Sequence, residues 1–140
     1  MITLVHIDDL PSYAQSVAAG IEKHSPFCVW LIGELGSGKT AFARQMLYAL
    51  GTPQDIAIAS PTFSLMHSYP TPQGMVAHLD LYRLKDHDMS SLFLDDQVYA
   101  GFMIEWPTRA QNHPLIQPTH SLHISYVSEH QRRYVWKHHQ

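Results

Sequence analysis

The sequence is poor in cysteine: one residue, Cys28, in a chain of 140. A lone thiol cannot close an internal disulfide, which fits a reducing compartment. Charge is sparse as well. Charged residues make up 15% of the chain, and nine Lys+Arg stand against twelve Asp+Glu for a formal balance of -3 with His neutral. So few cations would release few counterions from a phosphate backbone, which argues against tight, autonomous binding to nucleic acid. Long apolar runs are missing too. Nothing approaches the roughly 20 apolar residues of a membrane-spanning helix. The opening MITLVHIDDL carries charge where a signal peptide needs its apolar core. The expectation is a soluble, cytoplasmic chain without membrane contact.

What is present is apolar substance. Hydrophobic residues reach 45%, enough for an independent core and against extended disorder. The length suits one domain over residues 1–140. Eleven histidines stand out, and together they make the net charge sensitive near about pH 6.5.

The order of elements reads as α/β. Ile2 to Ile7 is a β-branched, apolar strand, and Asp8 or Asp9 can cap a helix with Pro11 in its first turn and Leu10, Tyr13, Val17 and Ile21 at helical spacing. Phe27 to Ile32 is continuously apolar, as in a parallel strand buried on both faces. A Gly-rich turn follows, then a helix from Ala41 to Leu50 stopped by Gly51. Ile56 to Ala59 reads as a short strand. Phe63 to Tyr69 and Met75 to Asp80 flank the five-residue turn Pro70 to Gly74 as a hairpin. Asp86 to Tyr99 is weakly helical, with Leu92, Phe93 and Tyr99 as core contacts. Phe102 to Ile104 is a strand ending at Glu105, and Pro107 to Pro118 a loop with one helical turn. Ser121 to Val127 and Arg132 to Lys137 form a final hairpin. The fold class expected is a single P-loop NTPase-type α/β domain: a mixed, mainly parallel sheet flanked by helices, with a C-terminal β-hairpin.

Gly33-Glu34-Leu35-Gly36-Ser37-Gly38-Lys39-Thr40 carries the chemistry. It matches G-x-x-x-x-G-K-[ST] with a strand before it and a helix after. Glycines let successive N–H groups curl toward phosphate oxygens, and the following helix adds its positive end. Lys39 reaches the β and γ phosphates, and the Thr40 hydroxyl ligates Mg²⁺. A chance Gly-rich turn is the competing reading, and four fixed positions in that context leave it little room. The site also needs an acid at the end of a neighbouring strand. Asp80 and Glu105 both qualify, and spacing does not choose between them.

The other chemistry-bearing residues read as ordinary. Ser60-Pro61-Thr62 is a simple turn that could also approach a γ-phosphate. Trp106 reads as a half-buried core residue that could instead stack on adenine. There is no H-E-x-x-H and no Cys/His cluster with zinc spacing. His120 and His123 read as partly exposed strand residues, and His138 and His139 as a frayed end. Cys28 belongs to the core. Arg132 and Arg133 read as a solvated hairpin end.

Taken together, the P-loop, Ser60-Pro61-Thr62-Phe63, His78-Leu79-Asp80-Leu81-Tyr82-Arg83-Leu84 and Ile104-Glu105-Trp106-Pro107 occur in an order that resembles the TsaE (YjeE) family. The resemblance spans nearly the whole chain, and the last three segments are far more specific than the P-loop. It implies a small P-loop ATPase of tRNA threonylcarbamoyladenosine biosynthesis, using ATP and Mg²⁺. Such a protein does not modify tRNA itself but acts on a TsaD–TsaB heterodimer, meets tRNA only indirectly, and hydrolyses ATP weakly alone. By motif, Gly33 to Thr40 would hold the phosphates, with Thr40 and Glu105 on Mg²⁺. Asp80 would be the second acid, on a metal-bound or attacking water. Thr62 would sit in a switch-like loop and Trp106 beside the site. Asp8 or Asp9 and Arg132 would make edge contacts to the nucleotide. Residues 85–101 depart from the family pattern, being shorter and lacking its Glu-rich helix.

Three other readings stand beside it. A small-molecule kinase usually begins at the strand before the P-loop and carries an Arg-rich lid, whereas here a strand and helix come first and only Arg109 follows Glu105 nearby. A GTPase would need an N-K-x-D segment, which is absent. A nucleotide-controlled docking module with negligible hydrolysis differs only in rate.

Overall fold

A computed structural model describes residues 1–61, 63–84, 92, 98–110 and 113–140, with the backbone alone at 115. The strands are β1 (Ile2–His6), β2 (Phe27–Ile32), β3 (Met66–Thr71), β4 (Gly74–Asp80), β5 (Tyr99–Glu105), β6 (His120–Ser128) and β7 (Gln131–His138). The helices are α1 (Leu10–Ile21) and α2 (Lys39–Leu50).

All seven strands join one sheet in the order β1-β7-β6-β2-β5-β4-β3. β2 is central and runs parallel to β5 and β6, and β5 runs parallel to β4. The outer pairs β1–β7, β6–β7 and β3–β4 are antiparallel. Because side chains alternate along a strand, Phe27, Val29 and Leu31 enter a core with Phe42, Met46 and Leu47 of α2 and Val17 and Ile21 of α1. Cys28 and Trp30 point the other way, toward Ala77, Leu79, Leu81, Ile104 and Ile116. That double burial is why β2 reads as a continuous apolar run. Among the described residues no helix is long and apolar enough to cross a membrane.

Several local expectations are corrected. α2 begins at Lys39 rather than Ala41, with Gly38 at φ 107° as its N-cap. The P-loop lysine and threonine therefore occupy the first helical turn. Residues 56–59 are not a strand. Their carbonyls are taken by side chains of α2, the Tyr48 hydroxyl donating to Ile56 O and Arg44 Nε to Ile58 O. The β3–β4 hairpin is tighter than expected. Pro70 pairs with Met75 and Thr71 with Gly74, leaving Pro72 and Gln73 as the turn. Pro70 is tolerated because β3 is an edge strand. Tyr99 opens β5 instead of closing a helix. Of that expected helix, 86–91 and 93–97 lie outside the described residues, and Leu92 packs against the second core group. Pro107–Ala110 and Pro114–Ile116 are two separate 3-10 turns.

At the N-terminus, Asp9 occupies the N-cap of α1 without a side-chain cap bond. His6 instead caps a preceding 3-10 turn, Nδ1 accepting from Asp8 N–H. At the other end, His138 lies within β7 and His120 is buried. His139 is tied back by Ser121 Oγ at 2.8 Å and by its N–H to Thr119 O at 2.7 Å, so that end is not frayed. His123 is exposed.

Candidate functional site

The parallel strands β2, β4 and β5 all end on one side of the sheet, and the Gly33–Gly38 loop crosses there. The loop is held tightly. A Cβ at Gly33 would fall 2.5 Å from Ser37 Oγ and 2.6 Å from the Ile124 carbonyl, so this close approach requires glycine. Ser37 is buried, and its carbonyl accepts from Arg132 Nε at 3.0 Å. Arg132 Nη1 also donates to the Ser128 and Gln131 carbonyls. Arg132 thus reaches the loop from behind, pinning the β6–β7 turn to it.

A cleft of about 530 Å³ opens above the loop and brings together Gly36, Lys39, Thr40, Asp80, Glu105 and Trp106, with Ser60 and Tyr82 on its rim. Its size falls in the range of small-molecule sites. Asp9 is exposed and does not line the cleft. Thr62 lies outside the described residues.

Register separates the two acids that spacing left equivalent. Asp80 and Glu105 are partners at the ends of β4 and β5. Glu105 is buried, and the Thr40 hydroxyl lies 3.0 and 3.1 Å from its two oxygens. Asp80 is half-buried, accepting from Ser60 Oγ at 3.3 Å and from Tyr82 N–H at 3.1 Å. A carboxylate pressed against a helix-N-terminal hydroxyl is an oxygen donor set suited to a hard cation such as Mg²⁺. The residues present therefore fit that ion.

Sequence reasoning gave no role to His78. Its ring is fully buried, and Nε2 donates to Glu105 Oε2 at 2.6 Å. The other nitrogen, Nδ1, has no hydrogen-bond partner among the described residues. Since a carboxylate can only accept, the hydrogen sits on Nε2. The available signal was a polar residue inside the apolar strand Met75-Val76-Ala77-His78-Leu79, on the same face as Asp80.

Lys39 is buried, and its ammonium donates to the Gly33 carbonyl at 2.6 Å and the Glu34 carbonyl at 2.9 Å. Burial pushes its pKa below the usual lysine range, while Glu105 and Asp80 pull it back up. Its nitrogen lies 4.4 Å from the centroid of Trp106. Trp106 holds φ at 58°, a left-handed conformation that costs about 1–3 kcal/mol in a non-glycine residue. That kink directly follows Glu105 and sits with its ring over Lys39, and Tyr82 packs on it at 4.9 Å.

Comparison with known proteins adds a family. A family model described as "Threonylcarbamoyl adenosine biosynthesis protein TsaE" matches residues 5–135. A tRNA threonylcarbamoyladenosine biosynthesis protein TsaE from Aquifex aeolicus is 32% identical over 126 residues, covering 90% of this chain and 86% of the relative. One of the same name from Rickettsia bellii is 35% identical over 102 residues, covering 71% and 68%. The crystal structure of YdiB from Bacillus subtilis superposes with a TM-score of 0.63 over 97% of this chain and 86% of that one, at 22% identity, a likeness of fold.

Proposed function

Because this chain belongs to the TsaE family of tRNA threonylcarbamoyladenosine biosynthesis proteins, we propose that it serves that pathway as a Mg²⁺-dependent ATPase acting on a TsaD–TsaB complex in the cytoplasm. The observation that carries the reading is the contact of Thr40 with Glu105 in the cleft that also holds Lys39 and Asp80.

The glycine loop and the first turn of α2 bind the triphosphate through backbone N–H groups and the helix end. Lys39 exchanges its bonds to the Gly33 and Glu34 carbonyls for phosphate oxygens. Thr40 and Glu105 would hold Mg²⁺, with His78 orienting the carboxylate through its hydrogen bond. The bound ion would supply neutralisation of charge on the phosphate oxygens. Asp80, one strand further out, accepts a hydrogen bond from the attacking water and orients it. Thr62 is assigned to the same reaction by the family motif alone, and Trp106 covers Lys39 and excludes solvent. A small, weakly cationic chain suits a protein whose partners handle the tRNA.

The test is ATP hydrolysis and co-purification with TsaD and TsaB, with and without ATP, for wild type and Lys39→Ala. Weak hydrolysis alone, stimulation by the pair and loss of both in Lys39→Ala are expected. Absence of any complex under every nucleotide condition overturns the partner assignment. ATP-dependent docking without turnover makes the chain a nucleotide-controlled docking module instead.

A further inference from the structure

We infer that His24, His120 and His138 form a binding site for one divalent transition-metal ion of the zinc class, at the opposite end of the sheet from the nucleotide cleft. The three residues come from separate parts of the chain. His24 closes the 3-10 turn after α1, His120 opens β6 and His138 closes β7. His120 and His138 are direct cross-strand partners, a placement that brings side chains within bridging range. Their rings lie 4.7 Å apart at 18°, and the His24 ring approaches them at 5.0 and 4.6 Å. One ring nitrogen from each residue lies within 4.8 Å of the other two.

The buried member is prepared as a ligand. His120 Nδ1 is engaged by Thr119 Oγ1 at 2.9 Å. The same hydroxyl reaches the Cys28 carbonyl at 3.1 Å, tying the ring to the backbone of β2. An outer hydroxyl bonded to one ring nitrogen is a usual support of an imidazole that ligates through the other. Trp136 stacks on the ring at 5.0 Å and 18° and holds its plane.

The geometry needs only a small adjustment. Tetrahedral zinc with bonds of about 2.0–2.1 Å wants nitrogens roughly 3.4 Å apart. His24 and His138 are exposed and free to rotate inward, while His120 stays fixed. Three imidazoles leave the fourth position to water. Imidazole donors select zinc, copper or nickel over the Mg²⁺ of an oxygen-lined cleft. Bound there, the ion ties the end of α1 to the β6–β7 ladder.

The test uses tag-free full-length protein, without nucleotide and with excess Mg²⁺, titrated with Zn²⁺ by calorimetry and with Co²⁺ by visible absorption. One saturable site, a tetrahedral Co²⁺ band and a zinc-dependent rise in melting temperature are expected. His24→Ala and His138→Ala should each weaken binding by at least about tenfold. Both positions are exposed, so the metal-free melting temperature should match wild type. His130→Ala, at the far end of the hairpin, should leave the titration unchanged. No saturable binding, or binding unaffected by both His24→Ala and His138→Ala, overturns the site.

Discussion

Glu105 and Asp80 stand side by side at two strand ends, yet their surroundings differ. Glu105 is buried, touches Thr40 and receives the His78 hydrogen bond, whereas Asp80 faces the rim beside Ser60. Glu105→Gln should raise the Mg²⁺ concentration for half-maximal ATPase activity and lower kcat by about 100-fold, equivalent to about 2.7 kcal/mol. Asp80→Asn should lower kcat while leaving the Mg²⁺ dependence in place. Equal Mg²⁺ titrations for Glu105→Gln and wild type would remove Glu105 as a ligand. His78 makes a subtler prediction. His78→Ala should weaken apparent Mg²⁺ affinity by about tenfold, and His78→Gln, whose amide still donates, should recover part of it. A purely structural histidine would lower the melting temperature of both variants and leave the Mg²⁺ titration unmoved.

At the scale of elements, the strand–loop–helix unit was legible because its information is contiguous. Apolar β2, the glycine pattern and the amphipathic α2 are neighbours in sequence, and each local preference agrees with the fold. Even so, α2 starts two residues before its expected Ala41, because Gly38 supplies the left-handed N-cap. Gly38→Ala should therefore destabilise the chain by about 1–3 kcal/mol in denaturant unfolding and weaken nucleotide binding in parallel. An unchanged unfolding midpoint would mean that the loop relaxes freely. Residues 56–59 misread for the opposite reason. Ile56 and Ile58 have strand chemistry, but Tyr48 and Arg44 capture their carbonyls before a ladder can form. The turn at Pro72–Gln73 was hidden because Pro70 looked like a breaker, and its place on an edge strand follows only from the sheet order.

Across the whole molecule, the central strand makes Cys28 an internal reporter. The thiol is buried, and burial pushes its pKa from 9.0 up to about 12. Native protein at pH 8 should resist thiol reagents, and modification should track global unfolding in urea; rapid labelling without denaturant would contradict the packing. The sign of the pH effect follows. An unfolded thiol ionises near 9.0 and the folded one near 12, so this contribution to stability is complete below pH 9 and declines as pH rises toward 12. Tyr13, also pushed up to about 12 by burial, adds to the same alkaline loss. Melting temperatures measured from pH 8 to 11 should fall, and a flat profile would refute both assignments.

By itself the sequence determined the P-loop, the α/β class, the buried central strand and the order of motifs that resembles the TsaE family, because each rests on neighbouring residues. Tertiary structure alone decided which acid meets Thr40, that His78 stands behind it, that Arg132 bonds the Ser37 carbonyl, and that His24 meets His120 and His138. Those relations join residues from separate strands and helices. Strand register and the alternation of side chains across the sheet bring them together, and no spacing along the chain encodes either one.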